Sequence, residues 1–261
     1  MRTDARGCSP PRRGRAACWA WMVGVLPLVA AGALALAPAP ARAGDEPAGK
    51  TVRAGSGRRP GDLAGDGWQA ALGLRTSWIR SAGFDPFSDN DALAQGSLVA
   101  TRGLDVGASP LSLVLGLSLD FGHSDAVTRG IDAELNLQRI AVVLEPRYWL
   151  APGLYTGVRL APGLQHLSAS LHDPSSPATL ATAFWVPSVD ASLTAGGRLN
   201  PAAARVGLWL LAEGGYGWSP ARDLSLSPAL PAGDASKAGA VSLGTLSARA
   251  PFLRISLALS Y

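Results

Sequence analysis

Beyond residue 67 the chain alternates apolar and polar positions with a period of two, the signature of strands that bury or expose one whole face. In WQAALGLRTSW (68–78) one face collects Trp68, Ala70, Leu72, Leu74, Thr76 and Trp78, and the other Gln69, Ala71, Gly73, Arg75 and Ser77. LSLVLGLSLDF sets Leu111, Leu113, Leu115, Leu117, Leu119 and Phe121 against Ser112, Gly116, Ser118 and Asp120, with Val114 out of pattern. Further along, Ile140, Val142, Leu144 and Tyr148 oppose Glu145 and Arg147, while Leu154, Val158, Leu160 and Leu164 oppose Tyr155, Arg159 and Gln165. Trp185, Val189, Ala191 and Leu193 then oppose Ser188, Asp190, Ser192 and Thr194, and Val206, Leu208, Leu210, Ala212, Tyr216 and Trp218 oppose Arg205, Gly207 and Glu213. The chain closes on Leu253, Ile255, Leu257, Leu259 and Tyr261 against Arg254, Ser256 and Ser260. A weaker strand over 93–104 brings the count to eight.

These segments run to about eleven residues and carry aromatics at the ends of the apolar face, which suits strands crossing a bilayer between two interfacial girdles. The expected girdle is Trp68, Trp78, Phe121, Tyr148, Trp185, Tyr216, Trp218 and Tyr261. Connectors alternate as well: 81–92, 122–132, 167–179 and 219–240 read as long loops, and 105–110, 149–153 and 197–202 as short turns. A sheet in lipid must close, because unpaired backbone groups there cost several kcal/mol each. The expected fold is therefore an all-β, antiparallel up-and-down transmembrane barrel of eight strands, both termini on the turn side. Lipid on the outside forces Arg75, Arg147, Arg159 and Arg254 inward, where they can meet Asp120, Glu145, Asp190 and Glu213 in a lumen just wide enough to be filled. Three features strain this pattern: Pro162 and Pro251 remove ladder donors, and Glu134, Asn136 and Gln138 fall on the outward parity. A bulge, or strands rising above the membrane, would accommodate the polar residues. A hairpin of RDLSLSPAL with AVSLGTLSA would make the count ten.

The N-terminus changes the charge picture. Arg2, Arg6, Arg12, Arg13 and Arg15 precede an apolar run from Ala16 to Ala37, and Ala41-Arg42-Ala43 fits a small-residue cleavage site. Residues 1–43 are expected to be a signal peptide, 44–66 a disordered leader and 67–261 the barrel. Cleavage removes six arginines and one aspartate and takes the net charge from +4 to −1, so no basic patch for nucleic acid remains. It also removes Cys8 and Cys18, leaving a mature chain without disulfides. GDEPAGKT (44–51) matches the phosphate-binding loop formally, but neither a strand before it nor a helix after it is in prospect, and no cofactor is expected.

With its closing FLRISLALSY, the chain resembles the small outer-membrane β-barrel proteins of Gram-negative bacteria, of the eight-stranded OmpA and OmpX type. The resemblance implies residence in the outer membrane and recognition of the last strand, ending at Tyr261, by the barrel-assembly machinery. It does not imply one activity. The expectation is a structural or interaction barrel without enzymatic activity, with lipid, the assembly machinery and unknown extracellular ligands as partners. A narrow small-solute channel is the alternative. His166-Leu167-Ser168 is similar to the H-x-S of lipid A deacylase barrels, though Ala169 stands where that family has asparagine and only Asp173 could orient the histidine. His166, His172 and Asp173 make only a weak metal set.

Overall fold

The structure is a computed structural model that describes residues 67–105, 110–128, 130–174, 179–201, 204–228 and 239–261. The expected signal peptide, the leader and GDEPAGKT lie outside the described residues. Ten strands form among them: β1 (Trp68–Trp78), β2 (Ala92–Asp105), β3 (Leu111–Thr128), β4 (Ile131–Ala151), β5 (Leu154–His172), β6 (Thr179–Arg198), β7 (Gly207–Trp218), β8 (Arg222–Pro228), β9 (Val241–Leu246) and β10 (Ala250–Ser260). β1 to β7 pair antiparallel in chain order, β10 pairs with β7, and β1 pairs with β10, closing a ring of eight. The hairpin of β8 and β9 forms, but outside the ring: it branches from the upper end of β6 through Leu180↔Pro228 and Ala181↔Ser227.

Alternation in the sequence becomes inside and outside in the ring. On β10 the side chains of Phe252, Arg254, Ser256 and Ala258 are buried while Leu253, Ile255, Leu257 and Leu259 are about half exposed. Closure removes every edge in the lipid-crossing part of the sheet, and the outward leucines supply the solvent-excluded match to acyl chains. A one-residue slip would turn a row of arginines into lipid, so the charged interior fixes the register. Replacing Ile255, whose ladder neighbours are Leu74 and Ala212, by arginine is expected to cost about 2–4 kcal/mol in folding from urea into vesicles. Stability unchanged from wild type would contradict an outward, lipid-facing Ile255.

Two segments expected to be long loops are largely ladder. β3 runs on to Thr128, β4 starts at Ile131, and β5 continues to His172. At 18, 21, 19 and 20 residues, β3 to β6 exceed the 9–11 or so needed to cross a bilayer. They rise above it, and their amphipathicity inverts on the way. Along β4, Ile140, Val142 and Leu144 point out and Glu145 and Arg147 point in; higher up, Glu134 and Gln138 are exposed and Leu135 and Leu137 are buried. The parity never breaks, and the one irregularity between β4 and β5 lies at the other end, at Trp149/Ala151. Water outside the upper wall and an apolar core within it explain why Glu134, Asn136 and Gln138 face outward. Pro162 and Pro251 sit inside strands on the outward face, and β4 and β5 lose pairs beside Pro162, between Ala141↔Gly163 and Leu144↔Leu160.

That upper core is a cap. The shorter strands β1, β2, β7 and β10 leave the tall wall of β3 to β6 open on one side, and the β1–β2 loop and the β8–β9 hairpin fill it. Ile79, Phe84, Phe87, Leu224, Leu226 and Leu246 pack with Leu135, Leu137, Leu167 and Val186, all nearly inaccessible. A 3-10 turn, Asp85–Phe87, turns Phe87 into this core, and the backbone of the two covers is joined by Gly83 N–H donating to Thr245 O at 3.2 Å. At the opposite end the turn between β4 and β5 is tight; Gly153, after Pro152, adopts φ +82°, a value open to glycine at little cost.

Candidate functional site

Among the described residues the lumen gathers the buried charged side chains, and it is built in three layers. The middle layer is ionic. Arg147 Nε bonds Glu145 at 2.7 Å, and Arg159 bridges Glu145 at 2.6 Å and Glu213 at 2.6 Å. Arg254 joins Glu213 at 2.9 Å to Asp120 at 2.8 Å. Arg75 and Arg139 then both lie between Asp120 and Asp190, with contacts of 3.4 and 2.5 Å for Arg75 and 3.1 and 2.9 Å for Arg139. The result is one continuous chain of five arginines and four carboxylates, drawn from every ring strand except β2, which contributes Gln95, Ser97 and Thr101 to the interior. Each carboxylate meets at least two guanidinium groups, which is how a buried charge is kept without an unpaired neighbour.

Neutral donors and acceptors complete the shell. Ser192 donates to Glu213 at 2.7 Å, Thr194 to Glu145 at 3.1 Å, Arg147 to Gln69 at 3.0 Å, and Arg139 to Ser188 at 3.1 Å and to the Ala161 carbonyl at 2.5 Å. Arg139 is the member that the sequence pattern left unassigned, although it shares its parity with Glu145 and Arg147. Two voids of about 10 Å³ flank the network, beside Arg254 Nε and Gln165 Nε2, two buried donors without a protein partner. Each void has room for about one water molecule.

Below the ionic layer lies an aromatic one. Trp149 packs edge to face on Tyr155 and Trp209, which are tilted against each other, with ring centroids 5.2 to 6.0 Å apart, among Ala71, Val99, Val143, Leu211 and Ala258. The indoles are partnered: that of Trp149 donates to Ser112 Oγ at 3.0 Å and that of Trp209 to Ser260 Oγ at 2.9 Å. Above the ionic layer is the apolar cap. The lumen is thus filled, but polar only in its middle; the expectation of a polar lumen is corrected at both ends, where parity brings Trp149, Val143, Trp209, Leu135 and Leu137 inward.

On the outside, the aromatics divide into two levels. Trp68, Tyr148 and Tyr261 sit at the turn end; Trp78, Phe121, Trp185, Tyr216 and Trp218 sit at the loop end. His166 and Ser168 are also outward, above Leu164. His166 lies between Gln138 and Trp185, its ring 4.8 Å from the indole, and Ser168 between Asn136 and Ala183. Among the described residues no hydrogen bond joins them, and their Cα atoms, two residues apart on one strand, are separated by about 7 Å. The cross-strand neighbours of His166 are an amide and an indole, so no carboxylate there orients it. His172, paired with Asp132 and Thr179, is about 20 Å from His166 along the same strand, too far for one metal ion.

A closed eight-stranded antiparallel ring with an apolar exterior, aromatic girdles and a filled interior is the architecture of small outer-membrane barrels. No protein-family model and no curated protein matches the chain. Among solved structures it is similar to a major outer membrane protein from Thermus thermophilus, at 13% identity and a TM-score of 0.48, over 74% of this chain and 99% of that one. It is also similar to Ail, the attachment invasion locus protein of Yersinia pestis (12%, 0.40, 75% and 98%), and to the outer membrane protease OmpT from Escherichia coli (10%, 0.39, 75% and 96%).

Proposed function

We propose that the protein is a non-conducting, non-enzymatic component of the outer membrane, whose barrel anchors and presents the wall and cap at its loop end. The observation that carries this is the stack of three closures in the lumen. A solute would have to pass the Trp149–Tyr155–Trp209 layer, then a salt-bridge chain with room for single waters, then an apolar core containing Phe84, Phe87 and Leu224. A narrow channel needs a continuous polar bore, and the packing supports none. The outward placement of His166 and Ser168 without an acid beside the histidine gives no support to acyl hydrolysis. In planar bilayers the refolded barrel is expected to remain silent across a range of salt concentrations. Reproducible unitary conductance steps would overturn the proposal.

A further inference from the structure

We propose that Arg80 and Arg249 form a site for the phosphate of an anionic lipid headgroup at the loop end of the barrel. The alternation of β1 persists past its last residue: Ser77 and Ile79 are buried, Trp78 and Arg80 exposed. Just before β10 the same holds, with Ala250 buried and Arg249 and Pro251 exposed. Neighbouring hydrogen bonds hold the two segments together. Ser81 Oγ donates to the Thr245 carbonyl at 2.9 Å, and Ser247 N–H donates to Ser81 Oγ at 3.2 Å. Arg249 is held in place: its guanidinium carbon lies 5.4 Å from the Trp218 ring centroid and its Nε donates to the Ser219 carbonyl at 3.2 Å. Its two terminal nitrogens are left for a ligand.

The contrast with the lumen points to a ligand. Every arginine of the buried network contacts a carboxylate, whereas Arg80 and Arg249 make no ion pair among the described residues, although Asp85, Asp89 and Asp91 are all in the adjoining loop. Depth decides what can fill that role. Outward Trp78, Tyr216 and Trp218 mark the boundary of the hydrocarbon, so guanidinium groups directly above them stand at headgroup level. A guanidinium is weakly hydrated and its fork matches phosphate oxygens in a bidentate manner. Two of them on joined, outward-facing segments suit a single phosphate, with Trp218 behind Arg249 and acyl chains descending past the indoles.

The site rests on the barrel spanning a bilayer and is independent of whether the lumen conducts. The full chain would be refolded in micelles containing equal amounts of phosphatidylglycerol and a galactosyl diacylglycerol, a neutral lipid without phosphate. Retained lipid would then be counted by native mass spectrometry on protein whose folded state is verified by electrophoretic mobility. Wild type is expected to retain phosphatidylglycerol preferentially, with the preference falling about fivefold for each arginine removed in Arg80→Gln and Arg249→Gln. Arg205→Gln, in an exposed turn at the other end, is expected to keep it. Equal retention of the two lipids by wild type, or an undiminished preference in the double variant, would overturn the site. Displacement of the lipid by inorganic phosphate would reassign it to a soluble anion and equally overturn the lipid assignment.

Discussion

Replacing Asp120 by alanine is expected to destabilise the folded barrel by about 3–5 kcal/mol, the cost of stranding buried charge after one partner is removed. Asp120 is the only carboxylate in the described lumen that contacts three arginines, Arg75, Arg139 and Arg254, and none of its surface is accessible. The five-to-four ratio of arginine to carboxylate makes the comparison with an arginine deletion informative. In Arg139→Met, Asp120 and Asp190 each keep Arg75, and the lumen becomes charge-balanced. That variant keeps most of the side-chain volume while removing the charge, and is therefore expected to lose less stability than Asp120→Ala. Unfolding by guanidinium in lipid vesicles, followed by tryptophan fluorescence, measures both; the reverse ranking would mean that packing rather than charge pairing dominates the layer.

Trp209→Ala is expected to cost about 3–5 kcal/mol by removing a fully packed indole. Trp209 is 1% exposed, meets Trp149 and Tyr155, and holds Ser260 near the seam where β10 meets β1. Conductance separates two ways of losing it. With the ionic layer and the cap still in place, the variant is expected to be destabilised and still silent in a planar bilayer. If opening this layer alone produced a pore, the Trp209 cluster would be the gate and the two layers above it would not be closures.

Much of this arrangement was legible in the alternation alone. Lipid on one side makes the rule simple: Leu253, Ile255 and Leu257 out, Arg254 and Ser256 in. It failed where the solvent on the two sides changes. Above Ile140, water is outside and the cap core inside, so Glu134 and Gln138 belong outward and Leu135 and Leu137 inward. The period stays the same while its polarity reverses, and 122–132 and 167–179 therefore read as polar loops. Arg139 was missed because it stands at that reversal. Trp149 was missed because 149–153 read as a short turn, and Trp209 was left unassigned although it shares its parity with Glu213; only the register shows three rings converging inside. The cap itself depends on Phe84, Phe87 and Leu224 meeting across the ring, a pairing that no local pattern encodes.

The cap carries a consequence for the order of assembly. Its covers come from opposite ends of the barrel sequence, Phe84 and Phe87 soon after β1 and Leu224, Leu226 and Leu246 shortly before β10. Most neighbouring ring strands pair with close sequence neighbours, but these two covers, like the seam between β1 and β10, meet only across a large separation in the chain, the kind of contact that forms late. The β1–β2 loop is thereby expected to report closure. While the seam between β1 and β10 is open, Phe84 and Phe87 lack the leucines of the hairpin, and limited proteolysis is expected to cut the loop; once the seam closes, protection there is expected to mark the final step of folding.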